Sequence, residues 1–207
     1  MAPLYALFSY CDKLACHGGK GALVPAIVQG DDLAEASVYH RRMEIWDVYD
    51  AQRRLTGRTM VRDNPIPQGD YHLVVEIGII NLRGELLITK RHPAKSYYPL
   101  FWETSGGSAL AGETSLQGAL REVREEIGIE LNPQKGFILA SRKSKTAFFE
   151  QWIFEQEINL ADTRLQDGEV CDIQYVNYHQ LRKLQENNEL IPYRDAYFDF
   201  LKRSLYV

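Results

Sequence analysis

GSALAGETSLQGALREVREEIGI, running from Gly107 to Ile129, decides the reading of this chain. Its apolar residues Leu116, Ala119, Leu120, Val123 and Ile127 recur at helical spacing, which predicts a helix with one buried stripe from Thr114 or Ser115 to Ile127. Thr114 or Ser115 suits the start as a cap, and Gly128 suits the end. Three carboxylates, Glu122, Glu125 and Glu126, stand at i, i+3 and i+4 and therefore share a helix face. Such a face is commonly a solvated surface, here balanced by Arg121 and Arg124. The flanks argue for more. Gly106-Gly107 lets backbone approach a ligand closely. Glu113 lies eight residues ahead of Arg121, placed to pair with it across a loop. A hard divalent cation is the natural compensator of crowded carboxylates, because Mg²⁺ prefers oxygen ligands and keeps waters for a phosphate substrate.

Working outward, the chain reads as mixed α/β. Trp46–Asp50 alternates apolar and acidic residues, as a half-buried strand does. His72–Asn81 is rich in β-branched residues and predicts a strong strand. Arg83-Gly84 predicts a tight turn and Glu85–Arg91 a returning strand, the two forming a hairpin. Lys95–Leu100, between Pro93 and Phe101, reads as a loop. Phe137–Ala140, Ala147–Ile158 and Asp172–Asn177 read as further strands, and His179–Glu186 and Tyr193–Leu205 as closing helices. Residues 1–42 have another texture, Gly- and Ala-rich without periodicity. They read either as an N-terminal extension or as sequence ahead of a start at Met43, with one domain over 43–207.

At 207 residues, 45% hydrophobic and 25% charged, the chain has the composition of an ordinary globular protein. A net charge of −4 speaks against a general nucleic-acid binder. No run approaches the roughly 18 apolar residues that span a bilayer, so no membrane partner is expected. The N-terminus lacks the basic region of a signal peptide. Cys11, Cys16 and Cys171 are odd in number and show no zinc spacing, so a reducing cytoplasm is the expected location.

The stretch from Gly107 to Ile129 resembles the Nudix box, G-x5-E-x7-R-E-U-x-E-E-x-G-U, in which U is a bulky aliphatic residue. Gly107, Glu113, Arg121, Glu122, Val123, Glu125, Glu126, Gly128 and Ile129 fill every fixed position. The resemblance implies an α/β fold, a Nudix-type α/β/α sandwich around a mixed β-sheet with the box as loop-helix-loop. It implies hydrolysis of a nucleoside diphosphate linked to another group X, a pyrophosphohydrolase reaction using Mg²⁺ or Mn²⁺. It implies Glu122, Glu125 and Glu126 as metal ligands, with the Gly107 carbonyl beside them and Arg121 orienting Glu113 and a box glutamate. The general base implied is a box glutamate such as Glu125 or a glutamate of a distant loop, for which Glu169 is the best placed; an ordinary acidic loop is the plain alternative. Lys90 and Arg91 suit phosphate binding, Arg by bidentate contact, although a solvated strand end would look the same. Tyr97, Tyr98, Phe101 and Trp102 could stack a base or simply pack. His72, His92 and His179 read as structural.

A narrower likeness runs through WDVYD, RRLTGR, YHLVV, ITKR and SGGSALAGE, which resemble a bacterial Nudix subgroup related to isopentenyl-diphosphate isomerase. That isomerase needs a Cys with a metal-binding His beside it. The corresponding stretch here, Phe101–Gly107, has neither, which favours hydrolysis. A regulatory module that has lost catalysis would show a degraded box, and this one is complete. The expected partner is a small diphosphate substrate, whose X group specificity loops near Lys95–Trp102 and Arg142–Ala147 would select. The residues leave oligomeric state open, and the resemblance makes a homodimer the assembly to test.

Overall fold

The computed structural model describes residues 44–192 and 195–204, so the reading of residues 1–42 lies outside the described residues. Among the described residues, nine strands and three α-helices follow in the order β1 (Ile45–Tyr49), β2 (Leu55–Val61), β3 (His72–Ile80), β4 (Leu86–Arg91), β5 (Trp102–Glu103), β6 (Ser105–Ser108), α1 (Ser115–Ile127), β7 (Gly136–Lys143), β8 (Ala147–Glu155), β9 (Val170–Val176), α2 (Tyr178–Glu186) and α3 (Asp195–Ser204). Strands β3 to β9 form one seven-stranded mixed sheet, in which β3 and β8 run parallel and the other pairs antiparallel. The α/β fold class is as expected.

Alternation along β3 separates two cores. Val75, Ile77 and Ile79 pack with Trp152 and Phe154 of β8 under Ala119, Val123 and Ile127 of α1. Ile80 and Ile153 face the other way, towards Leu181 of α2 and Phe198 and Leu201 of α3. Helices therefore cover both faces of the sheet, as side-chain alternation on central strands requires. Among the described residues, no helix is long and apolar enough to cross a membrane.

The β3–β4 hairpin forms, with the Gly84 N–H bonded to the Asn81 carbonyl at 3.0 Å, but it is shorter than the sequence pattern suggests. Only Ile79–Leu87 and Ile80–Leu86 pair. Beyond them the strands part, and a segment to which the sequence pattern assigns no strand fills the opening. Its first piece, β5, pairs with β4 at Thr89 and Lys90; its second, β6, pairs with β3 from Val74 to Ile77. These strands of two and four residues are too short to show periodicity, and β6 is Ser-Gly-Gly-Ser, so local sequence hides them. Strand β2 is also a finding beyond the sequence reading; its side chains are largely exposed, so no apolar pattern marks it.

The β1–β2 hairpin braces the loop ahead of α1. The Ala111 N–H donates to the Ile45 carbonyl at 2.7 Å, and the Gly112 N–H to Asp47 Oδ2 at 2.7 Å. Trp46 rests against His72, ring centroids 4.2 Å apart. Burial there pushes the His72 imidazole down to about 4, and its Nδ1 is buried without a partner.

Two outcomes follow for stability. Ile127→Ala, in the centre of the α1 core, is expected to cost about 2–5 kcal/mol in urea unfolding. Because His72 binds its proton more weakly folded than unfolded, its contribution favours the folded state above about pH 6.5 and is lost as pH falls towards 4. The urea midpoint of His72→Phe should therefore fall less between pH 7 and 4 than that of the parent protein; parallel curves would exclude His72 as the source.

Candidate active site

Local sequence builds the carboxylate helix as the pattern requires. Thr114 caps α1, its Oγ1 accepting from the Gln117 N–H while the Gln117 side chain accepts from the Thr114 N–H. At the other end Gly128 adopts φ 73°, the left-handed turn that a side chain would strain, and its N–H closes on the Arg124 carbonyl. Ser115 Oγ accepts from Trp152 Nε1 at 2.7 Å, fixing the helix start to β8.

Arg121 is the centre of the site. Its Nε and Nη2 grip both oxygens of Glu113 at 2.7 and 3.0 Å, the pairing expected from the sequence. Nη2 also donates to the Ser108 carbonyl at 2.9 Å, and Nη1 reaches Glu122 and Glu125 at 3.0 Å each. Glu113 in turn accepts from the Leu110 N–H at 2.8 Å. One guanidinium thus joins the end of β6, the loop and the helix.

The three box acids differ in environment. Glu125 is about half exposed, whereas the Glu122 side chain retains 13% exposure. Burial pushes Glu122 up to about 7, against the pull of Arg121. Glu126 is raised well above the usual carboxylate range, first by burial and then by the charges of Glu122 and Glu103. A hydrogen bond from Ser105 opposes that rise, and Glu126 Oε2 is buried with no hydrogen-bond partner. An orphaned carboxylate oxygen beside a second buried acid calls for a cation. Gly107 completes the cradle: a Cβ there would fall within the Glu122 carboxylate group, so only glycine lets β6 lie against it.

All of these donors are hard oxygens, the set that suits Mg²⁺ or Mn²⁺. Among the described residues, however, no three acid, His or Cys side chains converge closely enough to enclose an ion outright. Arg121 occupies Glu122 and Glu125 instead, supplying the positive charge that a metal would otherwise bring.

The distant glutamate is drawn into the same region. The charge of Glu169, which precedes β9, contributes to the rise at both Glu126 and Glu103. Its side chain pairs with Lys95, and its carbonyl accepts from the His92 N–H at 2.9 Å. Arg91 is held by Glu103 at 2.6 Å and by the Tyr97 carbonyl at 2.9 Å, so it stands beside the acids already engaged. Lys90 lies apart, its Nζ 5.3 Å from the centroid of the Trp102 ring. Trp102 is buried at 7% exposure, while Tyr97 and Tyr98 are exposed at 68% and 46%, so the four aromatics do not form one surface.

Sequence reasoning missed Glu103, Lys95 and Ser105. Burial raises Glu103, and Arg91 opposes that rise. The only signal for Glu103 was an acid directly after Trp102; its proximity to Glu126 depends on the short β5–β6 segment.

A carboxylate helix held against a glycine strand inside a sandwiched mixed sheet defines a class, the Nudix fold with its box. Residues 70–197 match the NUDIX domain, and the chain belongs to the Nudix hydrolase family. It is 40% identical over 152 residues to an uncharacterized Nudix hydrolase of Listeria monocytogenes, covering 73% of this chain and 90% of that one. An isopentenyl-diphosphate Delta-isomerase of Escherichia coli is 28% identical over 112 residues, 50% of this chain and 60% of its own. In fold it is similar to the crystal structure of DR0079 from Deinococcus radiodurans, with TM-score 0.61 and 20% identity, covering 78% of this chain and 99% of that one.

Gly107→Ala should fold, because the clashing group is the flexible end of Glu122, but should displace that carboxylate. The expected result is a thermal midpoint close to the parent's, with hydrolytic rate reduced at least tenfold. Parent-like activity would show that the close approach is dispensable.

Proposed function

We propose that this Nudix hydrolase is a divalent-metal-dependent pyrophosphohydrolase that cleaves the diphosphate linkage of a nucleoside diphosphate derivative. The observation that carries this reading is the buried, unpartnered Glu126 oxygen beside Glu122 and Gly107. Glu122, Glu126 and the Gly107 carbonyl would hold Mg²⁺ or Mn²⁺, with Glu125 joining them on release from Arg121. When bound, the metal supplies charge neutralisation at the phosphate oxygens and lowers the pKa of the attacking water.

The chain's own residues do the rest. Arg121, anchored on Glu113 and Ser108, keeps the acids in register with β6. Glu169, whose charge is felt at Glu126 and Glu103, takes the proton of the attacking water, while Glu125 serves as the further metal ligand. The bond between that water and phosphorus forms as the bridging P–O bond breaks, releasing two phosphate-bearing products. Arg91 presents positive charge to the substrate from the rim, with Lys90 behind it. The substrate is a small diphosphate compound, without nucleic acid or membrane as partner, and a cytoplasmic homodimer is the working assembly.

Glu122→Gln and Glu126→Gln should each lower the rate on a nucleoside diphosphate panel by on the order of a hundredfold. Glu126→Gln should also raise the metal-free thermal midpoint, because it removes a carboxyl whose ionisation burial disfavours in the folded state, and should lose the further rise that Mg²⁺ gives the parent. Full activity in both variants would refute the ligand assignment.

A further inference from the structure

The connection between β4 and β5 grips Glu169 at two points, by backbone and by side chain. Glu169 sits in a turn tied down on both flanks. On one flank the Gln166 N–H donates to the Glu126 carbonyl at 2.9 Å, fastening the turn to α1, and the Glu169 N–H closes on the Gln166 carbonyl at 3.2 Å. On the other the His92 N–H donates to the Glu169 carbonyl at 2.9 Å, and the Lys95 N–H to the His92 carbonyl at 3.0 Å. The short turn that holds the Glu169 backbone therefore also carries the Lys95 ammonium, which pairs with Glu169 Oε2.

This grip lies on the face of the acids. Directly paired residues on neighbouring strands share a face. Thr89 of β4 pairs with both Glu103 and Ile173, and Ile173 packs against the core under α1. The charge of Glu169 reaches Glu103 and Glu126, and that of Lys95 reaches Glu103. Repulsion from those two acids would turn the Glu169 carboxylate out to water, since its side chain keeps 33% exposure. Arg91 is already engaged by Glu103 and the Tyr97 carbonyl. Lys95, its side chain 16% exposed, supplies the opposing charge, and its attraction is only partly screened by solvent. The contact takes up Oε2 and leaves Oε1 to accept a proton.

We propose that Lys95 is the positioning residue of the general base, holding the Glu169 carboxylate against the acids so that Oε1 takes the proton of the attacking water. Lys95 acts through Glu169 and touches neither phosphate nor metal. The inference rests on the reading of Glu169 as the base.

The test measures kcat and KM against pH for ADP, ADP-ribose and UDP-glucose in Mg²⁺. In parallel, carbon NMR of the metal-free full chain follows the Glu169 carboxyl, assigned by its loss in Glu169→Gln. The other titratable and charged groups about Glu169 are His92 and Arg91 of the same connection, Glu103, Glu126, Cys171 of β9 and, in its own loop, Asp167; all stay unchanged in the Lys95 variants. Lys95→Met, near-isosteric, should lower kcat about tenfold with KM within about threefold, as a displaced base does. It should also move the acid limb of kcat and the carboxyl titration up by roughly one pH unit, because it removes an opposite charge beside a carboxylate. Lys95→Arg, which keeps the charge, should restore kcat and the limb. In a Glu169→Gln background Lys95→Met should cost nothing further. Lys95→Gln carries the test where Lys95→Met fails to fold.

An unmoved limb and titration in a folded variant would overturn the proposal. So would a raised KM with kcat kept, which would make Lys95 a phosphate ligand. Loss of activity in Glu169→Gln beside an unmoved limb in Lys95→Met would defeat the role of Lys95 alone. Glu169→Gln at the parent's rate would defeat the base assignment, and the role of Lys95 with it. Without turnover of any of the three compounds the carboxyl titration decides, a shift sustaining the grip and no shift overturning it.

Discussion

The guanidinium of Arg121 ties the end of β6, the loop ahead of α1 and the acid-bearing face of the helix to one another. It grips Glu113 on the loop, the Ser108 carbonyl at the end of β6, and Glu122 and Glu125 on its own helix. Only arginine offers five donors in a fixed fork, so a lysine could not make these contacts together. The consequence reaches beyond stability. Two largely buried acids, Glu122 and Glu126, are kept beside a glycine strand, Glu122 paired with Arg121 but Glu126 left with one oxygen unpartnered. A functional site holds such a cost because the compensating charge arrives with its ligand.

The splitting of the β3–β4 hairpin is the second constraint. Once the strands part, backbone donors and acceptors on both inner edges need partners, and β5 and β6 supply them. The insertion brings Glu103 and Ser105 to Glu126 and leaves Gly106 and Gly107 as bare backbone between the two faces of the sheet. Arg91 and Lys95, drawn in from the neighbouring edge and loop, balance Glu103 and Glu169. The site is therefore a ring of acids interleaved with cations, built from four separate stretches of chain.

The kinship with isopentenyl-diphosphate isomerases is partial in extent and in chemistry. The alignment covers half of this chain. The stretch that would bear the isomerase Cys and His is here β5–β6, Trp-Glu-Thr-Ser-Gly-Gly-Ser, with neither residue.

The sequence by itself determined the helix, its caps, the Arg121–Glu113 pairing and the family, because each depends on contacts within a few turns of one continuous stretch. Periodicity and side-chain chemistry are enough for such local features. It also determined the longer strands β3, β4 and β8, whose apolar content outweighs their flanks. Only the tertiary structure decided that Glu103 and Glu169 stand near Glu126, that Arg91 is already engaged by Glu103, and that Arg142 stacks on Phe149 above the sheet. Those placements depend on strand register and on the wedge of β5–β6, where residues distant in sequence meet through backbone hydrogen bonds. Such bonds are the same for every residue type, and so leave no mark in the sequence.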